Sequence, residues 1–341
     1  MRIKSITISG LRSFGPTPVT LDLKPRTVLI GPHGAGKSTV LMALEMLNIF
    51  ANGRSHEMPF LYDDEWARDV QNPDIKVHAL MEGDTVSDES KSECEIVIAH
   101  QMQQRRQGYL ESEKITKTEG QRKLSYEFHG VSGIARKEMA YEVRDEMRCM
   151  LDIHKFNRAG QTYFAAAVHG GDKMLTEQIT HEFKAMYGDF RGFEIVNTLA
   201  HLPTVGLREK SGRLVLTKNL SSGMRTYLGL LAFLMGPLWR KNPGILLLEE
   251  PDAGLHPDML HRLADVIKRA SEYCQIVMTT NNPGMVSEFS ETPEDVVVVE
   301  RPFDYTELNR VEQEPLEHWL KDYSLGHAWE SGAIGGRMDV S

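Results

Sequence analysis

Apolar positions interleaved with polar ones open the chain. Ile3, Ile6 and Ile8, then Val19, Leu21 and Leu23, mark two short strands. Thr27-Val28-Leu29-Ile30 reads as a buried strand ending in glycine, and Ser38 to Phe50 is apolar and helix-forming. From about residue 51 to 130 the chain turns polar and acidic, with strand patterns at Ile75 to Met81, Glu95 to His100 and Leu124 to Phe128. Ala135 to Asp152 is charged and helical, and Lys173 to Tyr187 is a second helix. A third is expected from Gly223 to Trp239, followed by a strand at Ile245 to Leu248. Leu260 to Tyr273 is amphipathic, Gln275 to Thr279 and Val296 to Glu300 are strands, and Pro315 to Tyr323 is the expected closing helix. This alternation predicts an α/β fold, a mixed sheet flanked by helices. Residues 1–50 and 200–341 form its expected core, and 51–199 an inserted α+β subdomain. No repeat of fixed period and no sustained heptads occur, so a coiled-coil arm is not expected.

The strand ending at Ile30 runs into Gly31-Pro32-His33-Gly34-Ala35-Gly36-Lys37-Ser38, which satisfies G-x-x-x-x-G-K-[ST] in full, with Thr39 next. Glycines let backbone N–H groups fold around phosphates, and the helix starting near Lys37 turns its positive end towards the anion. Lys37 is expected to reach the β- and γ-phosphates, and Ser38 to place its hydroxyl on Mg²⁺. The motif therefore predicts ATP binding with magnesium.

Ile245-Leu246-Leu247-Leu248-Glu249-Glu250-Pro251 is an apolar strand ending in two carboxylates. Side chains alternate across a strand, so the two point differently. Glu249 is expected to serve the Mg²⁺ shell and Glu250 to act as general base on the attacking water. Two solvated glutamates at a strand end would be the bland alternative were the phosphate loop not present.

Leu220-Ser221-Ser222-Gly223-Met224 resembles the L-S-G-G-Q fingerprint of ATP-binding-cassette (ABC) ATPases, departing from it at Ser222 and Met224. The resemblance implies that Ser221, Ser222 and Gly223 contact nucleotide held by a second chain. A simple helix cap with Ser222 as capping residue is the alternative reading. Asp252 to Pro257 falls where the family's D-loop crosses the dimer. Asn281, in Thr280-Asn281-Asn282-Pro283, stands where relatives carry a switch histidine; it can donate a hydrogen bond but cannot carry a proton. With Glu249 in place of the usual aspartate, this predicts slow turnover. The opening Ile3 to Phe14 resembles the first strand of RecF and SMC-type ATPases, which makes Arg12 and Ser13 nucleotide-site candidates. E-E-P-x-x-x-L-H-P and the ending Trp319 to Gly326, Ala328-Trp329 and Gly332 to Gly336 are similar to AAA-named ATPases related to the overcoming-lysogenisation-defect group. Gln71 is the candidate glutamine of a coupling loop.

Composition narrows the setting. The 341 residues are 41% hydrophobic and 26% charged, as in globular proteins, and no apolar run approaches the length of a membrane span. The strand-like N-terminus predicts no signal peptide. Three scattered cysteines without a C-x-x-C pair argue against disulfides or a zinc site and for a reducing cytoplasm. The net charge of −9 argues against constant coating of DNA, although Arg105-Arg106, Arg122-Lys123 and Arg208 to Lys218 are local basic patches or solvated faces. The expected machine is an ATP-gated homodimer. It controls a separate effector in antiphage defence, such as a toprim-type nuclease; the alternatives are RecF/SMC-type work on DNA itself, a transporter ATPase subunit, or a scaffold with negligible turnover.

Overall fold

Three runs of β-forming residues and one long apolar helix open the chain: β1 (Arg2–Ser9), β2 (Val19–Asp22), β3 (Arg26–Ile30) and α1 (Lys37–Ala51). The computed structural model describes residues 2–51, 74–83, 92–105, 108–119, 122–131, 153–156, 161–197, 203–236 and 244–336. The helix expected over Ala135 to Asp152 and the candidate Gln71 lie outside the described residues. Next come β4 (Asp74–Gly83), β5 (Ser92–Arg105), β6 (Gly108–Glu119), β7 (Arg122–Val131), β8 (Ile153–Lys155), α2 (Gln161–His169), α3 (Lys173–Met186), β9 (Phe190–Asn197), β10 (Pro203–Glu209) and β11 (Leu214–Leu216). The chain continues through α4 (Ser222–Leu234), β12 (Ile245–Glu249), α5 (Pro257–Ala270), β13 (Gln275–Thr279), α6 (Pro283–Ser287), β14 (Val296–Glu300), β15 (Glu307–Arg310) and α7 (Leu325–Glu330).

Two six-stranded sheets carry the architecture. One, ordered β2-β1-β4-β5-β6-β7, is antiparallel throughout. The other, ordered β15-β14-β3-β13-β12-β8, is parallel except for its edge strand β15. A small sheet β11-β10-β9 stands apart from both. Period-2 alternation decides which core each side chain of the parallel sheet joins. Leu29, Leu247, Val277 and Val299 share a cluster with α1 and with Ile3, Ile6 and Ile8 of β1, so α1 is packed between the two sheets. Val28, Leu246, Leu248, Ile276 and Val298 face the other way, towards Tyr227 and Leu231 of α4 and Leu263 and Ile267 of α5. That second core extends into Phe183 and Phe190, whose rings meet edge-on at 5.0 Å.

The segment 51–199, expected as a separate insertion, contributes to both large sheets. β4 pairs with β1 along its length, and β8 pairs with β12. The three residues of β8, Ile153-His154-Lys155, are too few for periodicity to announce a strand, and β6 is polar enough to hide in the same way. The expected closing helix at Pro315 to Tyr323 is replaced by two short 3₁₀ turns, Glu314–Leu316 and Trp319–Lys321. The helix that closes the chain's described part is α7, whose N-cap Ser324 accepts from His327 N–H.

A buried amide bridges the two sheets. Gln275, 2% exposed at the start of β13, accepts from Ile3 N–H at 2.9 Å and donates to Ile3 C=O at 2.9 Å and Lys24 C=O at 3.1 Å. Gln275→Leu keeps the volume but strands two backbone groups of β1, and should cost about 1–3 kcal/mol. Denaturant unfolding of the variant checks it; an unchanged midpoint would mean that β1 is held by its strand neighbours alone.

Candidate functional site

The phosphate loop leaves β3 and enters α1 through a backbone that tolerates no side chains at two points. A Cβ on Gly31 (φ 138°) would lie 2.1 Å from the Val299 carbonyl of β14. On Gly36 (φ 117°) it would lie 2.5 Å from Thr306 Oγ1 and 2.8 Å from Ser13 Oγ. Both glycines are thus demanded by protein neighbours as well as by the left-handed backbone. Ala35, buried, accepts from the Thr306 hydroxyl through its carbonyl, while His33, Gly34 and Ser38 are exposed.

Lys37 is 6% exposed, and its ammonium donates to the carbonyls of Gly31 at 2.6 Å and Pro32 at 2.8 Å. Burial lowers its pKa to about 8, and the nearby Glu250 carboxylate acts in the opposite sense. A cation drawn down in this way, with its N–H groups parked on neutral carbonyls, is poised to receive phosphate.

Glu249 and Glu250 end β12 in different directions, as the alternation requires. Glu249 follows Ile245 and Leu247 to the α1 side, where its carboxylate lies 3.3 Å from Lys155 Nζ; Lys155 also reaches Glu45 of α1 at 3.4 Å. Glu250 adopts φ 44°, a left-handed backbone that a glutamate rarely holds, fixed by its N–H donating to Thr279 O and Oγ1, each at 3.1 Å. Its Oε1 accepts from Asn281 Nδ2 at 2.6 Å, and the same amide nitrogen stands 3.4 Å from His33 Nδ1. Among the described residues Asn281 Oδ1, buried, has no hydrogen-bond partner. Glu250, Asn281 and His33 therefore converge at one end of the phosphate loop, around an acceptor that awaits a donor.

Ser38 and Glu249 offer hard oxygen donors suited to Mg²⁺. Among the described residues no group of three or more His, Cys, Asp or Glu could hold a metal ion by itself. The donor set therefore fits an ion that arrives with nucleotide phosphates completing its shell, once Glu249 is released from or shared with Lys155.

Two residues outside the sequence-derived set of catalytic and nucleotide-binding candidates tie the site together. Asp252, 4% exposed, accepts from Thr280 Oγ1 at 2.9 Å, which joins the D-loop to the switch loop carrying Asn281. Burial raises the Asp252 pKa against the hydrogen bond from Thr280. Thr306 is the other: its hydroxyl lies 2.7 Å from both Ser13 Oγ and Ala35 O. Its only sequence signal was a threonine after an aromatic-rich turn, which carries no chemistry alone. Arg12 adopts φ 49° beside Ser13.

At α4 the cap is Ser221, whose side chain accepts from Met224 N–H, rather than Ser222. Ser221 and Ser222 are exposed, and no hydrogen bond joins them or Gly223 to the phosphate loop of their own chain among the described residues. Gly223 is buried against the D-loop: a Cβ there would lie 2.5 Å from Gly254 O. The described end of the chain reaches the site from a third side. Trp329, Glu330 and Gly336 join Gly31, His33, Asn281 and Pro283 around a cavity of about 270 Å³.

The model of the RecF/RecN/SMC N-terminal domain matches residues 2–301. Among solved structures, an SMC head bound to the C-winged helix domain of ScpA is similar at TM-score 0.60 and 14% identity, over 93% of this chain and 100% of that one. The SMC head domain from Thermotoga maritima is similar at TM-score 0.54 and 17% identity, over 92% and 100%. An SMC head with an extended coiled coil, derived from Pyrococcus furiosus and bound to the C-terminal domain of ScpA, is similar at TM-score 0.60 and 12% identity, over 94% and 98%. No curated protein matches by sequence.

The depressed Lys37 pKa gives a test of the site. As pH rises through about 8 the free site loses its ammonium charge. ATP affinity should fall above that pH by up to about tenfold per unit, with proton uptake on binding. Titration calorimetry in buffers of different ionisation enthalpy reads both; a flat profile from pH 7 to 9 would count against it.

Proposed function

This chain belongs to the RecF/RecN/SMC N-terminal domain family, an ABC-type ATPase fold, and we propose that it is an ATP-operated switch that closes as a homodimer. The convergence of Glu250, Asn281 and His33 on the phosphate loop carries this reading. ATP would lie along Gly31 to Thr39 with its γ-phosphate at that convergence. Lys37 would leave the carbonyls of Gly31 and Pro32 for phosphate oxygens. Glu250 would take a proton from water, and Asn281 would hold that carboxylate in place and accept from the water through Oδ1. Mg²⁺, when bound with nucleotide through Ser38 and Glu249, supplies charge neutralisation of the phosphates. An amide cannot carry a proton at Asn281, which favours slow turnover.

Among the described residues the exposed Ser221 and Ser222 at the start of α4 make no hydrogen bond to their own phosphate loop, which supports a role against a partner chain's nucleotide. Among the described residues no helix is long and apolar enough to cross a membrane; three scattered cysteines without a C-x-x-C pair support our reading of a reducing, cytoplasmic setting. The pathway has two readings. Family membership favours chromosome maintenance or DNA repair. The net charge of −9 favours control of a protein effector, such as a toprim-type nuclease in antiphage defence. A steep loss of DNA affinity with salt supports the first, and no DNA binding at low salt the second.

Lys37→Ala should abolish nucleotide binding, while Glu250→Gln should bind ATP, lower turnover by about a hundredfold or more and accumulate as dimer. Light scattering with saturating ATP checks this; a Glu250→Gln chain that stays monomeric overturns the dimer.

A further inference from the structure

Asn281 is steadied from two directions. On one side Thr280 Oγ1 donates to Asp252 and accepts from Asn282 N–H at 3.0 Å, which fastens the switch loop to the D-loop. On the other side the loop runs straight into α6, which begins at Pro283. With five residues, α6 is too short to hold its place by its own hydrogen bonds. Its position is therefore set by the elements packed against it, and one of these is α7.

α7 meets α6 backbone to backbone at Gly326. A Cβ there would lie 2.0 Å from the Pro283 carbonyl oxygen and 2.4 Å from Ser287 Oγ. Gly326 lies inside a helix and holds no left-handed backbone, so its missing side chain serves this approach and not a turn. Two hydrogen bonds lock the crossing: Ser287 Oγ with Ser324 Oγ at 2.9 Å, and Leu325 N–H to Ser290 Oγ at 2.9 Å. Beyond α7 the chain is tied down again. Trp329 Nε1 donates to Gly336 O at 3.2 Å, and Gly336 N–H donates to Glu300 Oε1 at the end of β14. The neighbouring residue of β14, Val299, is the one whose carbonyl abuts Gly31. Residues 324–336 thus bridge from the helix after the switch loop to the strand behind the phosphate loop. On the way Trp329 and Glu330 wall the cavity that His33 and Asn281 line.

We propose that residues 324–336 are a positioning strap for hydrolysis. The contact of Gly326 with Pro283 sets where α6 begins, and hence where Asn281 presents its amide to Glu250, 2.6 Å away. Gly326 is a positioning residue that acts through Asn281. The inference rests on the reading of Glu250 and Asn281 given above and adds a point of control: lifting α7 from α6 stops turnover while ATP stays bound. A shift of about 1 Å at such a group is enough to cost up to about a hundredfold in rate.

Single-turnover phosphate release and titration calorimetry with ATP, both on the full chain, test it. Alanine is a better helix former than glycine, so any loss in Gly326→Ala comes from the contact with Pro283. That variant should hydrolyse ATP about tenfold more slowly or worse and keep its ATP affinity within about twofold. In an Asn281→Ala background the same change should cost less than about twofold, because the group it acts through is gone. Ser324→Ala removes the bond to Ser287 and inserts nothing; it should slow hydrolysis about threefold at unchanged ATP affinity, and it decides the matter where Gly326→Ala does not fold. Undiminished hydrolysis in these variants would overturn the proposal. So would a tenfold loss repeated in the Asn281→Ala background, or an ATP affinity that falls in step with hydrolysis, which would make α7 a support of the phosphate loop. An Asn281→Ala chain that turns over at the wild-type rate would overturn the reading of Asn281 itself, which separates the two failures.

Discussion

The closeness of backbone to backbone around the phosphate loop is the constraint on which the site depends. Gly31 runs against the Val299 carbonyl of β14, and Gly36 against the hydroxyls of Ser13 and Thr306. The loop therefore cannot take shape until β14 lies beside β3 and the turn after β1 has arrived. β14 reaches β3 through three parallel pairs, Val296 with Val28 to Val298 with Ile30. The turn arrives because Gln275 clamps β1 at Ile3. Local motif and long-range assembly are one requirement here, since residues almost 300 apart in sequence meet over the same glycine.

Charge is arranged with the same economy of contact. Lys37 is the buried cation of the loop, and its partners are neutral carbonyls and the more distant Glu250. A buried charge so weakly compensated gains more from a phosphate than an already paired one would. Glu249 is treated differently, with Lys155 opposite it and Glu45 sharing that lysine. The two neighbouring carboxylates thus have separate electrostatic settings, which follows from strand alternation and from the turn at Glu250.

Much of this was legible in the residues. Apolar runs ending in Gly31, in Glu249-Glu250 and in Thr279-Thr280 placed three strand ends correctly, because fully buried parallel strands read as continuous apolar stretches. The hydrogen bond between Asn281 and Glu250 was not legible, since nothing in sequence says that two strand-end loops will close on each other. β8 was too short, and β6 too polar, to show a period. Pro315 to Tyr323 misled for another reason: Trp319, Tyr323 and His327 pack into a column that joins the second 3₁₀ turn to α7. Ser222 was weighed as a cap, but Ser221 takes that position, a one-residue shift that alters which hydroxyl is free.

The approach of Gly223 to Gly254 O leaves no room for the start of α4 and the D-loop to slide past one another. The D-loop is bonded in turn, through Asp252 and Thr280, to the loop of Asn281. A push delivered at the exposed serines would therefore travel as a rigid displacement into the amide that steadies Glu250. Two chains facing each other through those serines would each feel whether the other is loaded, so that their two turnovers would be coupled events instead of independent ones.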